Sequence, residues 1–114
     1  MGVLEQLRID VRHEPDRVVL VLEGELDMAS APLLQNAIDG ADMSGGRMIV
    51  LDLQALQFID STGLRVILAV RKLCAERGQE IAVTPGSQQV ERLLSVTGVA
   101  DHLRTIATPD EVIT

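Results

Sequence analysis

Residues 48–78 read MIVLDLQALQFIDSTGLRVILAVRKLCAERG. Met48 to Leu53 is a nearly continuous apolar run, the pattern of a central strand covered on both faces. Gln54 to Asp60 reads as a loop. Thr62 to Arg77 then carries Leu64, Val66, Ile67, Leu68 and Val70 at helical spacing, and Gly78 supplies the C-terminal stop. The first turns are apolar almost all round, with only Arg65, Lys72 and Glu76 on one exposed stripe. Such a helix is expected to be mostly buried. A buried strand followed by a buried helix is one step of an α/β crossover.

The flanking sequence extends the same grammar. Leu7, Ile9 and Val11 alternate with Arg8, Asp10 and Arg12, the period of a half-buried strand. Glu14-Pro15-Asp16 makes a turn, and Val18 to Leu26 returns as a second strand, which predicts an antiparallel hairpin. A helix is expected from about Ser30, with Pro32 in its first turn and Leu34, Ala37, Ile38 and Ala41 on one face. Ser44-Gly45-Gly46 breaks it. Beyond Gly78, Glu80 to Thr84 reads as a short strand. Ser87 caps a helix carrying Val90, Leu93 and Leu94 that ends at Gly98, and Leu103 to Ala107 is a last strand. Thr108-Pro109-Asp110-Glu111 has the form of a capping box and predicts a short final helix. The expected fold is one α/β domain over 1–114: a mixed sheet, antiparallel in its first hairpin and largely parallel thereafter, with helices packed on it.

Composition narrows the function. The chain has 114 residues, 46% of apolar type, with one Phe and no Tyr or Trp. Its core is therefore aliphatic. A formal net charge of -7 argues against a nucleic-acid backbone as partner, and single-strand stacking platforms need the aromatics that are missing. No apolar run reaches the roughly 18 residues that span a bilayer. The N-terminus lacks the pattern of a signal peptide. The single Cys74 fits a reducing compartment. These features together predict a soluble cytoplasmic protein that does not engage membranes.

Two short stretches stand out: Gly24-Glu25-Leu26-Asp27, ending the second strand, and Phe58-Ile59-Asp60-Ser61-Thr62-Gly63-Leu64, leading into the long helix. If the second and third strands are parallel neighbours, both stretches meet at the carboxyl edge of the sheet, where open α/β sheets place their sites. Ser61 is expected at the cap of the helix. Unpaired N–H groups and the helix dipole there favour negative charge. A phosphate on Ser61 brings about -1.5 to -2 charges and would be opposed by Asp60 and Asp27. Asp27 is itself a candidate cap for the first helix. A serine before a helix is ordinarily only a cap, and capping does not prevent a hydroxyl from being modified.

The pair GELD and FIDSTGL, together with the element order over nearly the whole chain, is similar to the bacterial anti-sigma-factor antagonists of the STAS family. The resemblance implies a non-enzymatic switch. Ser61 matches the serine that an anti-sigma factor with serine kinase activity phosphorylates. The unphosphorylated form binds that kinase and releases the sigma factor, and a serine phosphatase restores it. Asp27 matches an aspartate of the partner-binding surface, and Ser30, Asp60, Thr62, Gly63 and Arg65 are its expected surround. Gly63 is expected to let a partner backbone approach closely. Thr62 stands where a second serine is commoner, and Ala29-Ser30-Ala31 departs from the threonine-alanine of many members. A monomer or weak dimer without cofactor is implied. The alternative within the family is a non-phosphorylated binding subunit of a lipid-transport or stress-signalling complex.

Other chemistry is weaker. Ser61 as a hydrolytic nucleophile needs a base, and His13 and His102 fall in distant elements. Gly45-Gly46 is too short to cradle a phosphate, and no Gly-Lys-Ser or Gly-Lys-Thr is present. No Cys or His cluster suggests a metal. Cys74 reads as buried packing.

Overall fold

The computed structural model describes residues 6–41 and 46–112. Ser44 and Gly45, expected to end the first helix, lie outside them. Strands β1 (Leu7–His13) and β2 (Arg17–Leu26) form the expected antiparallel hairpin, with Ile9 opposite Leu22 and Val11 opposite Leu20. Then come α1 (Ala31–Gly40), β3 (Met48–Ile59), α2 (Ser61–Glu76), β4 (Ile81–Val83), α3 (Gln88–Val96), a 3-10 turn at Val99–His102, and β5 (Arg104–Thr105). The strands lie in chain order, with β2, β3, β4 and β5 mutually parallel. Each parallel step needs a crossover, which α1, α2 and α3 supply.

The helices share one face of the sheet. Leu34 and Ile38 of α1, Leu64, Ile67, Val70 and Cys74 of α2, and Val90 and Leu94 of α3 pack against Leu20, Leu22, Ile49, Leu51 and Leu53. The aliphatic core thus forms as composition requires. The α2 helix is less buried than its sequence suggests: Ser61, Arg65, Ala69 and Lys72 are exposed and Val66, Leu68 and Leu73 are half-buried. Apolar character all round the helix is therefore matched only in part by neighbours.

The third strand departs most from expectation. Residues 54–59, read as loop, continue β3. The reason is two irregularities in its pairing with β2. Val21 faces Asp52 but Glu23 faces Ala55, and Gly24 faces Leu56 but Glu25 faces Phe58. Each step leaves one extra residue on β3, the hallmark of a β-bulge. The bulges reset the inward alternation, so Leu53, Leu56 and Ile59 are buried at a period of three. The period of two that marks a strand is therefore lost over residues 54–59.

The opposite face holds a smaller cluster of Val19, Val50, Ala82 and Ile106. Residues 108–112 form a bend and turn rather than the expected helix. They are drawn to β2 instead: the buried Arg17 donates from Nη1 to the carbonyls of Pro109 and Glu111, both at 2.9 Å. Glu111, the expected partner of a capping box, accepts from the Ala107 N–H at 3.0 Å. The Arg17 guanidinium also bonds Asp16 and holds its carboxyl below the usual carboxylate range. That contribution is present above the ordinary aspartate value near ~4 and is lost as pH falls below it. Arg17→Met should release the C-terminal segment: limited proteolysis should cut beyond Ile106 much faster than in the wild type, and the acid limb of a pH–stability profile should flatten. Unchanged proteolysis would show that the segment is held by packing alone.

Candidate functional site

Parallel pairing puts Leu26 beside Ile59, so GELD and FIDSTGL end together at the carboxyl edge of the sheet. The Asp60 N–H donates to the Leu26 carbonyl at 3.1 Å, fixing the two chain exits to one another. Gly24 enables the approach from the other side. Its φ is 108°, and a side chain there would meet the Gln6 carbonyl, which instead accepts from the Glu25 N–H at 2.8 Å.

Asp60, not Ser61, caps α2. Its Oδ1 accepts from the Gly63 N–H at 2.9 Å, and its Oδ2 accepts from the Met28 N–H at 3.1 Å. One carboxylate therefore ties the helix start to the turn after β2. Ser61 moves to the first helical position, exposed, and its hydroxyl makes no hydrogen bond with the described residues. The expectation that Ser61 is the cap is corrected by this geometry. An aspartate in extended conformation is an equally good cap, and it relieves Ser61 of that role.

The turn at residues 27–30 is self-contained. Asp27 Oδ1 accepts from the N–H groups of Ala29 at 2.9 Å and Ser30 at 3.1 Å, while Gln6 donates to Oδ2. The Ser30 hydroxyl accepts from the Asp27 N–H at 2.9 Å and donates to the Glu25 carbonyl at 2.7 Å. Ser30 stands at the N-cap position of α1, but its side chain turns back toward β2 instead of capping the helix.

The residues singled out from sequence thus divide. Ser61 and Arg65 are exposed, and Asp27, Asp60 and Thr62 are half-buried. Ser30 is 2% exposed and bonded internally, so it shapes the surface without forming it. Gly63 is buried too, and its role is corrected. A Cβ there would lie 2.6 Å from the Leu26 carbonyl oxygen and 2.7 Å from Leu26 Cγ. The missing side chain admits β2 of the same chain, not a partner.

Sequence reasoning missed three exposed apolar side chains: Met28 in the 27–30 turn, Leu33 in the first turn of α1 and Phe58 near the end of β3. A signal existed for Leu33. Leu34 and Ile38 take the buried face at four-residue spacing, which leaves an adjacent leucine no place in the core. Among the described residues no group of His, Cys, Asp and Glu could hold a metal ion, and no helix is long and apolar enough to cross a membrane. Burial pushes the Cys74 thiol up, which suits packing rather than reactivity.

A single α/β domain with its conspicuous polar residues gathered at one carboxyl edge has close counterparts. The chain belongs to the STAS domain family, whose pattern matches residues 8–112. It is 37% identical over 94 residues to the anti-sigma F factor antagonist of Paenibacillus polymyxa, covering 82% of this chain and 80% of that one. It is 28% identical over 96 residues to an anti-sigma-B factor antagonist of Listeria monocytogenes, covering 83% and 84%. The crystal structure of an anti-sigma factor antagonist from Mycobacterium paratuberculosis superposes with a TM-score of 0.80 at 25% identity, covering 96% of this chain and 93% of the other.

Two substitutions test the site's construction. Asp60→Ala removes the cap of α2 and should cost about 1 kcal/mol in denaturant unfolding, with Asp60→Asn recovering most of it. Gly63→Ala should cost about 1–3 kcal/mol by overpacking against Leu26. Wild-type stability in Gly63→Ala would refute the close approach.

Proposed function

We propose that this protein is an anti-sigma factor antagonist that binds an anti-sigma factor with serine kinase activity and releases the sigma factor, and that phosphorylation of Ser61 switches it off. The observation that carries the reading is the state of Ser61. It is exposed at the first position of α2, and helix capping does not occupy its hydroxyl because Asp60 performs that task. The names of the curated relatives support the general activity.

The physical mechanism is local. A phosphate on Ser61 adds about -1.5 to -2 charges and three acceptor oxygens. It arrives beside Asp60 and near Asp27, carboxylates already engaged with backbone N–H groups. Arg65 lies four residues along α2, on the Ser61 side, and is the cation placed to meet the new charge. The fold itself does not depend on the Ser61 hydroxyl, so the modification alters a surface more than it alters the core. A partner fitted to the unmodified edge, with Met28 and Leu33 as exposed apolar contacts, meets added charge and bulk. Ser61 donates no ATP-binding or catalytic group in this scheme. The kinase supplies both, and a serine phosphatase reverses the step.

Incubation with ATP and the cognate kinase should place one phosphate on the wild-type protein, located at Ser61 by mass spectrometry, and none on Ser61→Ala. Ser61→Asp should bind the kinase at least about tenfold more weakly in calorimetry, with its melting temperature little changed. Leu33→Glu should weaken the same complex. Equal affinity for Ser61→Asp and wild type would defeat the electrostatic mechanism, and phosphorylation of Ser61→Ala would defeat the site.

A further inference from the structure

The last third of β3 has a β2 partner on one side only, since β4 ends at Val83, opposite Leu51. The other side is closed by side chains. Thr84 begins the substitution: its hydroxyl accepts from the Leu53 N–H at 2.8 Å and donates to the buried Asp52 carboxylate at 2.9 Å. The first turn of α3 then takes over. The Ser87 hydroxyl donates to the Gln57 carbonyl at 2.8 Å. Gln89 makes a two-point contact with Ile59: Oε1 accepts from its N–H and Nε2 donates to its carbonyl, both at 2.8 Å. A side-chain amide reproduces here the donor and acceptor of a neighbouring strand.

Ile59 is fully buried, so its backbone groups have no access to water and need these partners. It is also two residues before Ser61. The next residue, Asp60, is held on the β2 side by the Leu26 carbonyl. The chain entering α2 is thus gripped from both sides, by a strand on one and by Gln89 on the other.

We infer that Gln89 is a positioning residue for Ser61: its amide fixes the path of the β3–α2 junction and so sets where the Ser61 hydroxyl is presented. The inference rests on the phosphorylation reading for its functional consequence, but not for its structural content. Phosphoryl transfer depends on alignment, and small misplacements of a reacting group lower the rate steeply. Gln89 bonds the Ile59 backbone and none of the side chains expected to meet the partner, so its loss acts through the path of the junction and falls on the transfer step more than on recognition.

The test compares Gln89→Met, of similar length but without the amide, with Gln89→Glu, which keeps the acceptor for the Ile59 N–H and lacks the donor for the carbonyl. Val19→Ala, which opens the small cluster on the opposite face of the sheet, is the control for general destabilisation. In Gln89→Met the Ile59 amide should exchange at least about tenfold faster, measured under conditions where the Leu20 and Leu51 amides stay protected. The Thr62 and Gly63 amide resonances should shift. Gln89→Glu should retain more Ile59 protection than Gln89→Met. With the cognate kinase, kcat for Ser61 phosphorylation should fall about tenfold or more in Gln89→Met while KM stays within about twofold. Val19→Ala should show neither the selective Ile59 effect nor the kcat loss. Unchanged Ile59 exchange and unshifted Thr62 and Gly63 resonances in Gln89→Met would overturn the inference. So would a normal kcat despite lost protection, or a matching kcat loss in Val19→Ala. If the wild type itself accepts no phosphate, the phosphorylation reading fails, and the exchange and resonance data still decide whether Gln89 positions the junction.

Discussion

The parallel pairing of β2 with β3 is the constraint on which the site depends. It sets Leu26 against Ile59, and from that register the two chain exits emerge side by side. The Asp60 N–H bonds the Leu26 carbonyl, and the Asp60 carboxylate reaches both the start of α2 and the turn after β2. A buried Gly63 lets the helix sit hard against Leu26. Two stretches separated by a helix and a strand thus form one surface, held by backbone groups and a single shared carboxylate.

That surface is supported unevenly. Toward β1 it has a regular ladder and the Gly24–Gln6 approach. Toward β4 the ladder ends early, and Thr84, Ser87 and Gln89 stand in for the missing strand. Side chains fill that role because β3 runs on past the end of β4, where Thr84, Ser87 and the first turn of α3 reach it. The carboxyl edge thereby gains length beyond the sheet proper, and Ser61 is lifted to an exposed position.

The two faces of the sheet are built by different means. Helices cover one with a large aliphatic cluster, and the other keeps a small one. The buried Arg17 holds the chain beyond β5 by the carbonyls of Pro109 and Glu111. A buried guanidinium satisfied by backbone carbonyls and an aspartate avoids the penalty of an unpaired buried charge. This anchoring lies at the Arg17 end of β2, opposite the carboxyl edge, so the strap and the site are separable features.

Much of this molecule follows from local pattern. Alternation in Leu7–Val11, helical spacing from Leu64 to Val70 and the punctuation by Pro15, Gly78 and Gly98 place the elements, because periods of two and 3.6 are set by backbone geometry alone. The two motifs were legible for the same reason, being contiguous. Local pattern therefore specifies the order of the main elements, the aliphatic core and the identity of the conspicuous edge residues. Their roles come from contacts between segments distant in the chain. Asp60 became the cap because its oxygens face two separate N–H groups, Ser30 was drawn inward by the Glu25 carbonyl, and Gly63 was required by Leu26. The period of three in β3, the strap at Arg17 and the Gln89 contact each depend on a partner distant in the chain. Such contacts leave no local period, and so they become visible only when the sheet has brought the partners together.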